Sequence, residues 1–166
     1  MLNTSFYARH DVRNEMVMNE GSALKGIKIL IVDDDLDSCE LLSEFLQVYG
    51  EVEVRVFNCV KETLVAFPQF QPQVLISDIA MPGEDGITLI QAVRSLPVEQ
   101  GGKIPAIALS AMAREQDRQR ALEAGFDRYL TKPMDFDKLI STLLDLLEET
   151  TALQGEKAEL TTKTTP

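Results

Sequence analysis

The chain is poor in the residues that mark several protein classes. Its 166 residues include no tryptophan, one histidine and two cysteines. Cys39 and Cys59 have neither CxxC nor metal-ligand spacing, which excludes a zinc module or a disulfide scaffold and fits thiols in a reducing cytoplasm. No apolar run approaches the roughly 20 residues of a membrane span, and residues 1–25 lack the apolar segment of a secretion signal. A cytoplasmic chain without membrane contact is therefore expected. Positive charge is scarce too: 16 Lys and Arg face 27 Asp and Glu, a net charge of -11. A nucleic-acid-binding domain needs the opposite sign, so no nucleic-acid partner is expected. Residues 1–25 balance Arg9, Arg13 and Lys25 against Asp11, Glu15 and Glu20, and residues 150–166 balance Lys157 and Lys163 against Glu156 and Glu159. The acidic excess therefore lies wholly in 26–149.

A hydrophobic fraction of 45% is enough for an ordinary core. Five apolar runs alternate with five helical patterns. Ile27–Val32 is a β-branched run that stops at Asp33-Asp34-Asp35; Asp35 or Asp37 is suited to cap the helix that follows, which carries Leu41, Leu42, Phe45, Leu46 and Tyr49 and closes at Gly50. Glu51–Phe57 alternates charged and apolar residues, as an edge strand does. Asn58 is expected to cap a short helix, with Pro68 and Pro72 bracketing the loop beyond it. Val74–Asp78 is a buried strand turned aside by Pro82-Gly83 and Gly86. A third helix carries Ile87, Leu89, Ile90 and Val93. Ile104–Leu109 is a fourth strand ending at Ser110, a charged helix spans 113–124, Arg128–Thr131 is a fifth strand, and Asp135 or Asp137 opens a last helix through Leu147.

Such alternation predicts an α/β fold, a doubly wound parallel sheet with right-handed crossovers, of the flavodoxin-like (βα)5 type with strand order 2-1-3-4-5. The expected organisation is a flexible lead-in over 1–25, with one weak helix near Val12–Met18, a domain over 26–149, and a disordered, Thr-rich tail over 150–166.

The strand tips carry the chemistry. Asp33 and Asp34 end the first strand, Asp78 the third, Ser110 the fourth and Lys132 the fifth. In this strand order all five fall on one sheet edge, where open α/β sheets bind ligands. Crowded carboxylates repel unless a cation joins them, and an oxygen-only ligand set of this hardness suits Mg²⁺. A carboxylate can form an aspartyl phosphate, while Mg²⁺ and a lysine neutralise the transferring phosphoryl oxygens.

The segments Ile31-Val32-Asp33-Asp34-Asp35, Ser77-Asp78 with Met81-Pro82 and Asp85-Gly86, Ala108-Leu109-Ser110-Ala111 and Tyr129-Leu130-Thr131-Lys132-Pro133 together resemble the receiver domain of two-component response regulators over about 26–148. By that resemblance Asp78 is the phosphoacceptor, and Asp33, Asp34 and Asp78 hold Mg²⁺ with the backbone carbonyl of Ala80. Ser110 is the switch hydroxyl, Tyr129 the aromatic switch residue, and Lys132 the phosphoryl contact, with its bond to Pro133 in cis. The implied partners are a sensor histidine kinase or phosphotransfer protein upstream, and a protein partner or second copy downstream through about 113–148. Too little chain follows Glu149 for an output domain, so a stand-alone receiver is expected. It is not an enzyme but a phosphoacceptor switch that catalyses its own phosphorylation and dephosphorylation. Ala80 and Met112 stand at two positions that, in the family, influence loss of the phosphoryl group; neither can position a water, so slow self-dephosphorylation is expected.

Three rival readings use the same residues. Asp33 and Asp35 fit the Asp-x-Asp of haloacid-dehalogenase-like phosphohydrolases, but position 37 is Asp and no second acidic pair comes late in the chain. Asp33, Asp35, Asp37 and Glu44 match calcium-loop offsets, but Ser38 replaces the required Gly. A pseudo-receiver that binds without phosphorylation has no missing residue in its favour.

Overall fold

In the computed structural model, residues 23–162 are described, and for 153–162 the backbone alone. The lead-in 1–22, including the expected helix near Val12–Met18, lies outside the described residues. The elements are β1 (Lys28–Val32), α1 (Leu36–Gly50), β2 (Glu53–Phe57), α2 (Val60–Phe70), β3 (Val74–Asp78), α3 (Gly86–Arg94), β4 (Ala106–Ser110), α4 (Glu115–Ala124), β5 (Arg128–Thr131) and α5 (Phe136–Thr162), with a 3-10 turn at Val98–Gln100. All pairings are parallel, and the strand order is the expected 2-1-3-4-5.

Alternation along the strands builds two cores, because successive side chains point to opposite faces. Ile29, Ile31, Val74, Ile76, Ile107 and Leu109 pack with Leu42, Leu46, Leu139 and Leu143 of α1 and α5. On the other face Leu30, Val32, Leu75, Ala106 and Ala108 meet Phe67 and Phe70 of α2, Leu89, Ile90 and Val93 of α3, and Ala121 of α4. β3 and β4 are buried at every position, as central strands covered on both faces must be.

Several local expectations change. The buried stripe of α1 is Cys39, Leu42 and Leu46, while Leu41 is 59% exposed. Gly50 is the last residue of α1, and Glu51 takes the left-handed turn at φ 51°. A glycine is needed at 50 for space: a Cβ there would lie 2.8 Å from the Leu24 Cβ. Leu24 is itself fully buried, so the core begins before residue 26. Cys59, not Asn58, holds the cap position of α2, with no side-chain bond. Pro68 lies inside α2, whose last turns are anchored by the buried Phe67 and Phe70. β4 starts at Ala106, two residues later than expected. The residues expected as a disordered tail from 150 continue α5 to Thr162. Thr150 and Thr151 fit the helix by donating their hydroxyls to the carbonyls of Leu146 and Leu147. Among the described residues no helix is long and apolar enough to cross a membrane.

Candidate functional site

Each predicted tip residue reaches the same edge of the sheet. β1 and β3 are direct neighbours, with Val32 opposite Ser77 in register, so Asp33 and Asp78 emerge side by side. Ser110 ends β4 beside them and Lys132 follows β5. Carboxylate oxygens of Asp33, Asp34 and Asp78 lie within 4.8 Å of one another.

The centre of the cluster is the Lys132 ammonium. Its Nζ donates to Asp33 Oδ2 and to Asp78 Oδ2, both at 2.7 Å. Asp33 is 3% exposed and Asp78 7%, so these charges are desolvated, and their pairing decides whether the site is tolerable. Burial raises the Asp33 pKa from its ordinary value; its hydrogen bonds to Lys132 and the Asp35 amide offset only part of that. For Lys132, burial works against the ammonium, but the hydrogen bonds to Asp33 and Asp78 outweigh it, and the net shift is upward. Lys132 is joined to Pro133 by the expected cis peptide bond.

Backbone groups fix the remaining carboxylate oxygens. The Ala80 amide donates to Asp78 Oδ1 at 2.9 Å, and the Asp35 amide to Asp33 Oδ1 at 3.0 Å. Asp35 caps α1: its carboxylate accepts from the Asp37 and Ser38 amides and from the Ser38 hydroxyl, and these bonds lower its pKa. It is thereby turned away from the cluster, which removes the second acid of an Asp33-x-Asp35 phosphohydrolase pair.

Ser110 is fully buried, and its Oγ accepts from the Met112 amide at 3.0 Å. The half-buried Tyr129 donates its hydroxyl to the Met112 carbonyl at 2.6 Å. Ser110 and Tyr129 therefore grip one residue, Met112, through the two peptide units that flank it.

Some contributors are not evident from the tips. Gly86 opens α3 hard against the end of β3: a Cβ there would lie 2.2 Å from the Asp78 carbonyl, and the Gly86 amide donates to the Ile79 carbonyl at 3.0 Å. Only a glycine permits that approach. Asp85 caps α3 through the Thr88 amide and hydroxyl. Cys39 donates its thiol to the Asp33 carbonyl at 3.6 Å, and burial pushes its pKa up to about 11. A cavity of about 310 Å³ opens beside Asp33 and Lys132 between α1 and the start of α5, with Leu41, Met134 and Phe136 in its wall. The signal for it was Leu41, an apolar residue off the core stripe of its helix.

The donor set fits a hard divalent cation: three carboxylates and no nitrogen or sulfur, two of them buried and one, Asp34, open to solvent.

Comparison with known proteins agrees with the geometry. The family model described as response regulator receiver domain matches residues 29–144. An uncharacterized 14.6 kDa protein in the sodA1 3' region of Leptolyngbya boryana is 49% identical over 117 residues, 70% of this chain and 87% of that one. The DNA-binding dual master transcriptional regulator RpaA of Synechocystis is 32% identical over 123 residues, 74% of this chain but only 50% of its own length. Among solved structures, a putative response regulator from Chloroflexus aurantiacus superposes with a TM-score of 0.69 at 33% identity, covering 75% of this chain and 99% of that one.

Proposed function

The chain belongs to the response regulator receiver domain family, and on that premise we propose that it is a phosphorelay switch taking a phosphoryl group onto Asp78 from a phosphohistidine donor. The observation that carries this reading is the Lys132 ammonium bridging Asp33 and Asp78 at 2.7 Å on each side. A lysine so placed sits where negative charge accumulates when a phosphoryl group joins Asp78.

The step is a displacement at phosphorus. A carboxylate oxygen of Asp78 forms the new O–P bond, the P–N bond to the donor imidazole breaks, and its electron pair returns to the ring nitrogen, which takes up a proton. The Ala80 amide fixes one Asp78 oxygen, so the carboxylate is oriented before the donor arrives. Asp33, Asp34, Asp78 and the Ala80 carbonyl would hold Mg²⁺, which would supply positive charge beside the phosphoryl oxygens. Lys132 then exchanges a carboxylate partner for a phosphoryl oxygen.

Output follows from Met112. When the Ser110 hydroxyl turns to a phosphoryl oxygen, its hold on the Met112 amide is released, and the Tyr129 bond to the Met112 carbonyl must be remade elsewhere. The surface altered is the one around α4 and β5, where α4 buries only Ala121 and so is weakly tied to the core. A downstream protein or a second copy binds there, through about 113–148. The donor approaches from the other side, where the exposed Leu36 and Leu41 and the cavity wall at Met134 and Phe136 fit the apolar face of a helix.

The test is intact-protein mass after incubation with Mg²⁺ and acetyl phosphate. The expected result is a gain of one phosphoryl group, lost without Mg²⁺ and in Asp78→Ala. No gain in the unmutated chain would leave the pseudo-receiver.

A further inference from the structure

The edge of the sheet where the strands begin holds a feature that the phosphoacceptor end does not use. A cavity of about 630 Å³ lies between the starts of β1, β3 and β4 and the wall of α5. Its apolar lining is Ile27, Val98, Ile104, Pro105, Leu144 and Leu147. Val98 is 58% exposed, and Ile27, Ile104, Leu144 and Leu147 are half-buried. Small-molecule sites have volumes of roughly 300–1,000 Å³, with a mostly apolar lining and a few polar groups that fix orientation. The five residues of β3, about 17 Å of strand, separate the cavity from the end that carries Asp78.

The polar groups of the lining set the class of ligand. On the α5 wall stand Glu148, Thr150 and Thr151. The Thr150 and Thr151 hydroxyls donate to the Leu146 and Leu147 carbonyls at 2.8 and 2.9 Å, so toward a ligand their oxygens can only accept. The Glu148 carboxylate accepts as well. It has no ion-pair or hydrogen-bond partner among the described residues, whereas its neighbour Glu149 is paired with Arg128. The side chains of this wall therefore offer acceptors and no donor. On the strand-start wall are Gln73, whose Oε1 accepts from the Lys28 amide at 3.1 Å, and Lys103. An adjoining cavity of about 280 Å³ shares Pro72 and Val98 and adds Glu99. Across the two cavities Glu99 and Glu148 stand against Lys103, in a chain of net charge -11. A field of that sign concentrates cations at the surface and depletes anions.

We propose that this cavity binds a small apolar amine. Its ring or chain packs among Ile104, Leu144 and Leu147, and its ammonium donates to Glu148, with the Thr150 and Thr151 oxygens as further acceptors. The site is distinct from the acidic cluster at the other edge and does not depend on phosphoryl acceptance at Asp78.

The absence of tryptophan makes the test direct, because an indole ligand is then the dominant fluorophore. Tryptamine, 3-methylindole and indole-3-acetate share one ring and carry positive, zero and negative charge. Titrated with the full chain, tryptamine is expected to show a saturable rise in fluorescence anisotropy. Its affinity is expected to exceed that of 3-methylindole by up to about fivefold, the gain from one solvent-exposed ion pair. Indole-3-acetate is expected to bind more weakly than either. Glu148→Gln is expected to remove the advantage of tryptamine over 3-methylindole, and Val98→Asn, on the exposed rim, to weaken both, with far-UV circular dichroism unchanged. Saturating Mg²⁺ at matched ionic strength is expected to leave tryptamine bound. The proposal is overturned by the lack of saturable tryptamine binding, by equal affinity for indole-3-acetate, or by a Glu148→Gln chain that still prefers the amine. Displacement of tryptamine by Mg²⁺ would also overturn it, by moving the amine to Asp33, Asp34 and Asp78.

Discussion

The two ends of this sheet are built from the same five strands and solve opposite problems. At the C-terminal end two acids are buried beside a half-buried lysine, and each of these charges is held by a named partner: Asp33 and Asp78 by Lys132, their second oxygens by backbone amides. At the N-terminal end a cavity of about 630 Å³ is lined by Ile27, Ile104, Leu144 and Leu147 together with Gln73, Lys103 and Glu148. A parallel sheet places every strand start on one side and every strand end on the other. The ends can therefore be specialised independently, one for charge and one for packing. The comparison also shows where substitution should be costly for function and where only for packing.

The largest effect is expected from Lys132→Ala. It leaves Asp33 and Asp78 buried without their common cation and removes the charge that would meet a phosphoryl group. By analogy with deletion of one preorganised electrostatic donor, the rate of phosphoryl uptake should fall by about 10²–10³-fold. Leu147→Glu at the other end should leave that rate within about twofold. Equal losses at both ends would break the comparison.

Gly86→Ala comes next. The added methyl would meet the Asp78 carbonyl, so the start of α3 must shift. Overpacking of this kind costs about 1–3 kcal/mol, to be read from urea unfolding, and phosphoryl uptake should drop with it.

Asp33→Asn separates charge from packing. In Mg²⁺-free buffer at pH 7 the folded state holds a carboxylate whose pKa is raised above its unfolded value by burial. That acid therefore lowers stability above its folded pKa, and the penalty vanishes below its unfolded pKa, where both states are protonated. The amide variant should melt higher than the unmutated chain at pH 7, with the difference shrinking as pH falls through the carboxylate range. Mg²⁺ should stabilise the unmutated chain and not the variant. A lower melting temperature at pH 7 would mean that pairing with Lys132 outweighs burial.

The smallest effect concerns persistence. Met112 is exposed at the mouth of the site and Ala80 lies two residues past Asp78; neither side chain can hold a water. Met112→Glu is expected to change the decay rate of the phosphorylated protein several-fold, about 1 kcal/mol of barrier. An unchanged rate would remove the side chain at 112 from the account.

The strand tips were legible because strand endings, unlike helix faces, are marked by abrupt chemistry: an apolar run meeting Asp33, Asp78, Ser110 or Lys132. Their convergence needed only the strand order. What stayed hidden was set by packing between distant segments. Pro68 is a turn signal in sequence, but Phe67 and Phe70 hold its turn in place. Asn58 is the better cap residue, yet Phe57 is registered against Val32 and α2 begins at the buried Val60, which leaves Cys59 at the cap. Leu41 fits a helical repeat, but α1 turns Cys39 to the core instead and leaves Leu41 on the rim of the cavity. Gly50 looks like a helix stop, and its actual constraint is the Leu24 side chain from a segment read as outside the domain. The composition of 150–162 suggested a tail because threonine is a weak helix former; in the structure the Thr150 and Thr151 hydroxyls find partners in the Leu146 and Leu147 carbonyls.

The central claim is that Asp78, and no other acid of the cluster, takes the phosphoryl group. The most direct measurement is to phosphorylate the full chain with acetyl phosphate and Mg²⁺, reduce the acyl phosphate with borohydride, and locate the resulting homoserine by peptide mass spectrometry. Homoserine at position 78 alone is the expected result. Homoserine at 33 would contradict the account and return the nucleophile to the first strand, as in a phosphohydrolase.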